Sequence, residues 1–158
     1  MTKAEILEMT KEKGTADALE LRAEAVAGTI TDTEIIDRED AVPEWDAERD
    51  YTDCPVGMPV AYNGQVYGLN IPHNPSYYPD VTPENNRTLW GIKHTTNPYK
   101  AKPYVQSEGT SGMYMTGECC TDPEAEDPTQ VYIANKDNVS YPPHDNTGDW
   151  TSWEGGTA

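Results

Sequence analysis

An Asn-Gly pair at positions 63 and 64 falls between two runs of apolar residues, Val56, Met58, Val60 and Tyr62 before it and Val66 and Tyr67 after it. A two-residue turn of type I′ needs positive φ at both central residues, which Asn and Gly adopt at little cost and β-branched residues do not. The pair therefore predicts a β-hairpin and, with the alternation around it, which side chains share a face. A loop rich in Pro and Asn (residues 70–87) follows, and Leu89-Trp90 reads as a short closing strand.

Before Trp45 the pattern is different. Thr2-Lys3-Ala4-Glu5 and Thr31-Asp32-Thr33-Glu34 are both capping-box signatures, and Gly14 and Gly28 are natural stops. Three short helical pieces are predicted, the second over Asp17 to Ala27. Each is near or below the length that is stable alone, so each must pack on something. Their apolar residues (Ile6, Leu7, Leu19, Val26, Ile30, Ile35 and Ile36) suffice for a small docking or oligomerisation element, or for a helical hairpin covering its own domain. The opening stretch MTKAEILEMTKEKG has no apolar h-region of the secretory kind.

The aromatic inventory limits the cores. There is no Phe, but there are 10 Tyr and 4 Trp, all from Trp45 onward, so every ring but none of the first 44 residues carries a polar aromatic handle. With 13 Pro and 12 Gly the chain is loop-rich, and a single large enzyme-type core is not expected. Acidic residues outnumber basic ones 28 to 11, giving −17. Phosphate neutralisation needs clustered Lys and Arg, so no nucleic-acid partner is expected. The same charge opposes docking on an anionic lipid surface, and no apolar run approaches the about 20 residues of a membrane span. The three Cys (Cys54, Cys119, Cys120) fit neither a disulfide framework nor a zinc spacing. The adjacent pair reads as two strand positions.

Charge and aromatic content divide the chain. Residues 1–44 carry −7 and no ring, residues 45–103 carry −1, and residues 104–158 carry −9. The last part also repeats the middle one. Tyr51, Gly57-Met58-Pro59-Val60, Val66-Tyr67 and Trp90 correspond to Tyr114, Gly117-Glu118-Cys119-Cys120, Val131-Tyr132 and Trp150, with an acidic insertion from Asp122 to Asp127. The expected fold is mainly β: a helical attachment or oligomerisation element (1–44), a first hairpin module (45–92), a linker (93–103) and a second module (104–158).

Trp45-Asp46-Ala47, Tyr51, Gly57, Val60, Tyr62-Asn63-Gly64-Gln65-Val66-Tyr67 and Trp90 together resemble the carbohydrate-binding module of family five/twelve, the chitin-binding type 3 domain. The second copy matches through Tyr114, Gly117, Val131, Tyr132, Asp137-Asn138-Val139 and Trp150. Where members of that family place Trp after the second strand, this chain has Gly68-Leu69-Asn70-Ile71. The acidic helical N-terminus, the stretch from Thr31 to Glu39 and the run Gly109-Thr110-Ser111-Gly112-Met113-Tyr114 are also similar to small virion proteins of tailed phages infecting Gram-positive gut bacteria. These resemblances imply a virion protein, tail- or fibre-associated or capsid-decorating, present in many copies or as a homo-oligomer. Its implied partners are other virion proteins and a host-surface polysaccharide.

Sugars are held by stacking a ring on their C–H face while polar side chains bond the hydroxyls. A small module with one or two rings reaches about −4 to −8 kcal/mol, millimolar to micromolar. The glycan-binding candidates are Tyr77 and Tyr78 with Asn74, Asn85 and Asn86 beside them, Tyr141, and Trp153. Tyr77 and Tyr78 are adjacent, so in an extended segment one ring faces inward to Trp90 or Tyr67 and the other outward. Trp45, Tyr62, Tyr67, Trp90, Tyr114, Tyr132 and Trp150 sit at fold-determining positions. His73, His94 and His144 stand apart in Pro- and Asn-rich loops, with no nucleophile at motif spacing. Asp137, Asp145 and Asp149 fit no EF-hand loop and read as a solvated acidic surface. No catalytic residue, metal ligand or cofactor is assigned. A purely structural spacer, whose rings meet protein neighbours, is the alternative reading.

Overall fold

In the computed structural model, which describes residues 17–108 and 111–155, Asn63 and Gly64 form the predicted turn, with φ of 52° and 79°. It joins β1 (Pro59–Tyr62) to β2 (Gln65–Leu69), antiparallel, with Tyr62 opposite Gln65 and Val60 opposite Tyr67. β3 (Trp90–Ile92) adds to the other side of β2, Trp90 opposite Leu69. All five residues of β2 are buried, because both faces of this sheet are covered. Met58, Val60, Tyr67 and Leu69 join Tyr51, Leu89 and Trp90 in an aromatic core on one face. Val66 and Ala61 face the other way, toward Leu21, Ile35, Ile36 and Val42.

Those four residues belong to the N-terminal element. Helix α1 covers 17–27 and stops at Gly28, whose φ of 72° lets the chain reverse. Helix α2 (Asp32–Asp37) opens with the capping box read from the sequence, the Thr31 hydroxyl accepting from Glu34 N–H and the Glu34 carboxylate from Thr31 N–H. Six residues make no stable helix alone. Here burial of Ile35 and Ile36 against Val66 holds α2 in place. Over the described residues, the segment that the sequence marks for attachment thus buries Leu21, Ile35, Ile36 and Val42 against the first module, while Leu19 and Val26 stay exposed. The helical piece expected from Thr2 to Gly14, with Ile6 and Leu7, lies outside the described residues.

A second, four-stranded sheet runs in the order β4 (Lys102–Pro103), β5 (Cys119–Thr121), β6 (Val131–Ala134) and β7 (Trp150–Ser152). β4 is parallel to β5 and the other pairs are antiparallel. Tyr114, Cys120, Ala134, Val139 and Trp150 form its core, flanked by Tyr104 and Tyr132. Cys119 points the opposite way and is buried, its thiol donating to the Thr95 carbonyl at 3.2 Å. All three cysteines are free, as suits neighbours on opposite faces of one strand.

Residues 93–103, which the sequence marks as a linker, are built into the fold. They supply β4, and Thr95 bridges to Cys119. Lys93 meets Asp32 at 3.0 Å, Asn97 donates to Asp37 at 2.8 Å, and Gln65 Nε2 donates to the Pro103 carbonyl at 3.1 Å. His94 and Thr95 are buried, which a free tether would not achieve. Among the described residues no helix is long and apolar enough to cross a membrane.

The repeat is legible bond by bond. Gly57 N–H donates to Leu69 at 2.8 Å and Gly117 N–H to Ala134 at 2.9 Å, both glycines at strongly positive φ (94° and 91°). Asn70 N–H donates to Leu89 as Asn135 N–H does to Asp149, both at 2.9 Å. The Tyr51 hydroxyl accepts from Asp46 N–H at 3.0 Å, and the Tyr114 hydroxyl from Val105 N–H at 3.2 Å. Trp45 and Tyr104 are therefore equivalent, each donating its own N–H to the strand beside it, to Ala61 and Thr121.

Candidate functional site

Tyr141 has the most complete polar surroundings of the sequence-predicted rings. It is 61% exposed and lines an open cleft of about 550 Å³ together with Lys136, Asn138, Ser140, Asp145, Asn146 and Asp149. Its backbone is anchored from below, because the buried Trp150 donates its indole N–H to the Tyr141 carbonyl at 2.9 Å. Lys136 bridges to Asp149 at 3.1 Å across the same cleft. Asn146 Nδ2 also donates to Asp149, so an exposed phenol ring, the Ser140 hydroxyl, the Asn138 amide and the Asp145 carboxylate are left to stack on a sugar ring and exchange hydrogen bonds with its hydroxyls. Aligning the two closing tryptophans places Tyr141 over Val81, so the first module has no ring there.

The first module's candidates are arranged differently. Asn74 caps a 3₁₀ turn, Pro75–Tyr77, and its Oδ1 accepts from both the N–H and the hydroxyl of Ser76. Asn85 and Asn86 likewise spend their amide oxygens on nearby backbone N–H groups. The turn, rather than an extended segment, separates the two rings. Tyr77 is 79% exposed, whereas Tyr78, 45% exposed, packs at right angles to His73 with ring centroids 5.7 Å apart. His73 in turn packs on Trp90 at 5.5 Å, so the inward ring reaches the tryptophan through an imidazole. His73 Nδ1 donates to the Ile71 carbonyl at 2.7 Å and is part of the core.

Trp153 is half-buried after β7, and its ring meets the edge of Tyr99 at 5.1 Å. Tyr99, 74% exposed, escapes a sequence reading that treats 93–103 as a tether. A signal is present nonetheless: Asn97-Pro98-Tyr99 copies Asn74-Pro75-Ser76-Tyr77, an Asn-capped 3₁₀ turn that presents a tyrosine. The fold-determining rings carry the cores. Tyr67, Trp90, Tyr114 and Trp150 are buried, and Trp45 packs its edge on Tyr62 at 5.5 Å.

The remaining histidines are structural or paired. Asp122 is buried and accepts from the backbone N–H groups of His144 and Glu124 and from His144 Nδ1 at 2.7 Å. Burial alone would raise its carboxyl, but these bonds outweigh it and hold the group below the usual carboxylate range, while the Asp122 bond raises His144. The far nitrogen of His144 faces Glu124 and Asp145, so this dyad ends in carboxylates and not in a nucleophile. Asp137 is engaged by the Thr116 N–H and hydroxyl. Among the described residues no group of three or more His, Cys, Asp and Glu side chains is arranged to hold a metal ion.

His94 stacks on Tyr114 at 3.7 Å, and its Nε2 donates to the Gly112 carbonyl at 2.8 Å. Burial is the main cause that pushes its imidazole down to about 4. An unfolded chain would take up that proton near pH 6.5, so stability is full above pH 6.5 and falls as the pH drops toward 4, by about 3 kcal/mol in all. His94→Phe keeps a ring against Tyr114 without the proton. Urea midpoints measured from pH 4 to 6.5 should fall steeply for the parent and distinctly less for the variant.

Comparison of the chain with protein-family models and with curated proteins gives no match.

Proposed function

We propose that this chain is a non-enzymatic phage virion protein that makes weak, multivalent contacts with host-surface glycans, exposed on the particle beside other virion proteins. The observation that carries the sugar contact is the cleft around Tyr141, where an exposed ring stands among Asn138, Ser140 and Asn146 with its backbone tied to Trp150. The resemblance to chitin-binding type 3 modules and to small tailed-phage proteins supports the same reading. An acidic chain of charge −17 suits a neutral glycan better than an anionic polymer. Many copies on one particle convert millimolar contacts into firm adhesion through effective concentration.

A spacer role is favoured for the first module taken alone. Asn74, Asn85 and Asn86 spend their amide oxygens on turns, Asn85 also donates to the Asp80 carbonyl, and Tyr78 packs on His73, so this loop is built first to hold its own shape. The test is retention of the full chain on purified Gram-positive cell-wall sacculi. Tyr141→Ala should weaken retention by about 1 kcal/mol or more while the melting temperature stays within a degree or so, since the ring is mostly outside the core. A parent chain that binds no sacculus or glycan-array sugar sinks the glycan reading and leaves the spacer.

A further inference from the structure

Gln65-Val66-Tyr67 at the start of β2 recurs as Gln130-Val131-Tyr132 at the start of β6, but the two glutamines are spent differently. Gln130 Nε2 donates to the Trp153 carbonyl at 2.7 Å, within its own module. Gln65 Nε2 donates to the Pro103 carbonyl at 3.1 Å, and Lys102 Nζ donates to the Gly64 carbonyl at 2.7 Å, so the first hairpin is tied across to β4 of the second sheet. Beside these ties lies a cavity of about 220 Å³, between the turn at Asn63 and the segment Tyr104-Val105. At about 30 Å³ per water it has room for about seven waters, the size of one six-membered sugar ring.

Tyr67 lines this cavity, 1% exposed, and its hydroxyl makes no hydrogen bond among the described residues. The equally buried Tyr51 and Tyr114 each accept a backbone N–H at theirs. A buried hydroxyl without a partner is costly, so the Tyr67 hydroxyl marks the place of a ligand atom. Burial pushes this phenol up to about 12, which keeps it protonated and able to donate as well as accept. Gln65, also buried, gives Pro103 its Nε2, and its amide oxygen is left unbonded among the described residues. Asn63 and Glu84 stand exposed at the mouth. The charges that bear on the Tyr67 hydroxyl, Arg87 and Glu84, oppose one another, which favours a neutral ligand over an ion.

We propose that this cavity is a second glycan site, which holds one neutral sugar unit where the two modules meet. The sugar hydroxyls exchange hydrogen bonds with Tyr67, Gln65, Asn63 and Glu84, and its C–H groups lie against Tyr104 and Val105. The walls are pre-formed: Tyr104 N–H donates to the Thr121 carbonyl at 2.9 Å, and its ring is stacked on Tyr114 with centroids 5.4 Å apart. Such pre-organisation spares the ordering cost that otherwise consumes a weak contact. A cavity for one unit takes a chain end or a branch, whereas the cleft of about 550 Å³ at Tyr141 has room for more of the chain. The site rests on the glycan reading of the chain but not on the Tyr141 cleft, and together the two let one molecule grip one polymer twice.

The test uses the full chain and purified Gram-positive sacculi, with N-acetylglucosamine, D-galactose and n-butylammonium as soluble probes titrated into the millimolar range and read by amide spectra. A neutral sugar should shift the Gln65, Tyr67 and Tyr104 amide signals together. Tyr67→Phe removes only the unbonded hydroxyl, so it should weaken this binding about fivefold, the value of one hydrogen bond, with a melting temperature no lower than the parent's. Glu84→Ala, at the exposed mouth, should weaken it as well, and Tyr141→Ala should leave it unchanged. Sacculus retention that Tyr141→Ala weakens, with no shift of those amides by either sugar, overturns the cavity site and leaves the glycan reading standing. A parent that binds neither sacculus nor sugar overturns both. Shifts produced by n-butylammonium and not by the sugars overturn the neutral ligand. Glu84→Ala that binds sugar as tightly as the parent also overturns the site, whatever Tyr67→Phe does to stability.

Discussion

A chain lacking residues 1–42 is expected to lose the fold of its first module while the second sheet persists. The deletion removes Leu21, Ile35, Ile36 and Val42, all buried, and leaves Val66 and Ala61 open to water on one face of β1 and β2. Burial of an aliphatic side chain contributes about 1.5–3 kcal/mol, so the four together account for roughly 6–12 kcal/mol. That is comparable to the whole stability of an ordinary domain, about 5–15 kcal/mol. The ion pairs lost with them, Asp32 with Lys93 and Glu39 with Lys102, are partly solvated and add little. Amide spectra of the shortened chain should therefore lack dispersed signals from Val60 to Leu69 but retain those from Cys119 to Ala134. Dispersed signals for both sheets would mean that the helices are an independent attachment segment after all.

What the amino-acid sequence discloses follows the range of the forces involved. The Asn63-Gly64 turn, the Thr31 capping box and the stop at Gly28 are set by neighbours within a few residues, so the local sequence specifies them. The repeat was visible for the same reason, since Tyr51, Gly57 and Trp90 and their counterparts make the same local bonds twice. Three features depend on partners far away in the chain. The helices look like a free amphipathic element until Ile35 and Ile36 are seen to cover Val66. Residues 93–103 look like a tether because Lys and Pro dominate them, yet His94 and Thr95 are buried between the modules. Among the site residues, Tyr141 was legible as an exposed ring, but its polar surroundings come from Lys136, Asn138 and Asn146, which only the folded loops bring together. Tyr99 escapes the local sequence because its partner, Trp153, lies far beyond its own turn.

The closing tryptophans should behave alike when truncated and differently when only the indole N–H is lost. Trp90 is fully buried, edge-on to Tyr51 at 5.1 Å, and Trp150 meets Tyr114 at 5.2 Å in the same place of its own module. Replacing either by Ala leaves a large cavity, with an expected loss of about 3–5 kcal/mol. Their nitrogens differ. Trp150 Nε1 donates to the Tyr141 carbonyl, whereas Trp90 Nε1 is buried without an acceptor among the described residues. Trp90→Phe removes an unsatisfied donor along with some volume, so the relief offsets part of the cavity. Trp150→Phe removes the same volume but also breaks a made bond and strands the Tyr141 carbonyl. Urea denaturation should place Trp150→Phe below Trp90→Phe by about 1–3 kcal/mol relative to their parents. The same bond holds the loop that presents Tyr141, so Trp150→Phe should also weaken sacculus retention while Trp90→Phe leaves it unchanged. Equal losses in stability and in binding for the two variants would mean that the indole bond neither supports the second core nor positions the ring above it.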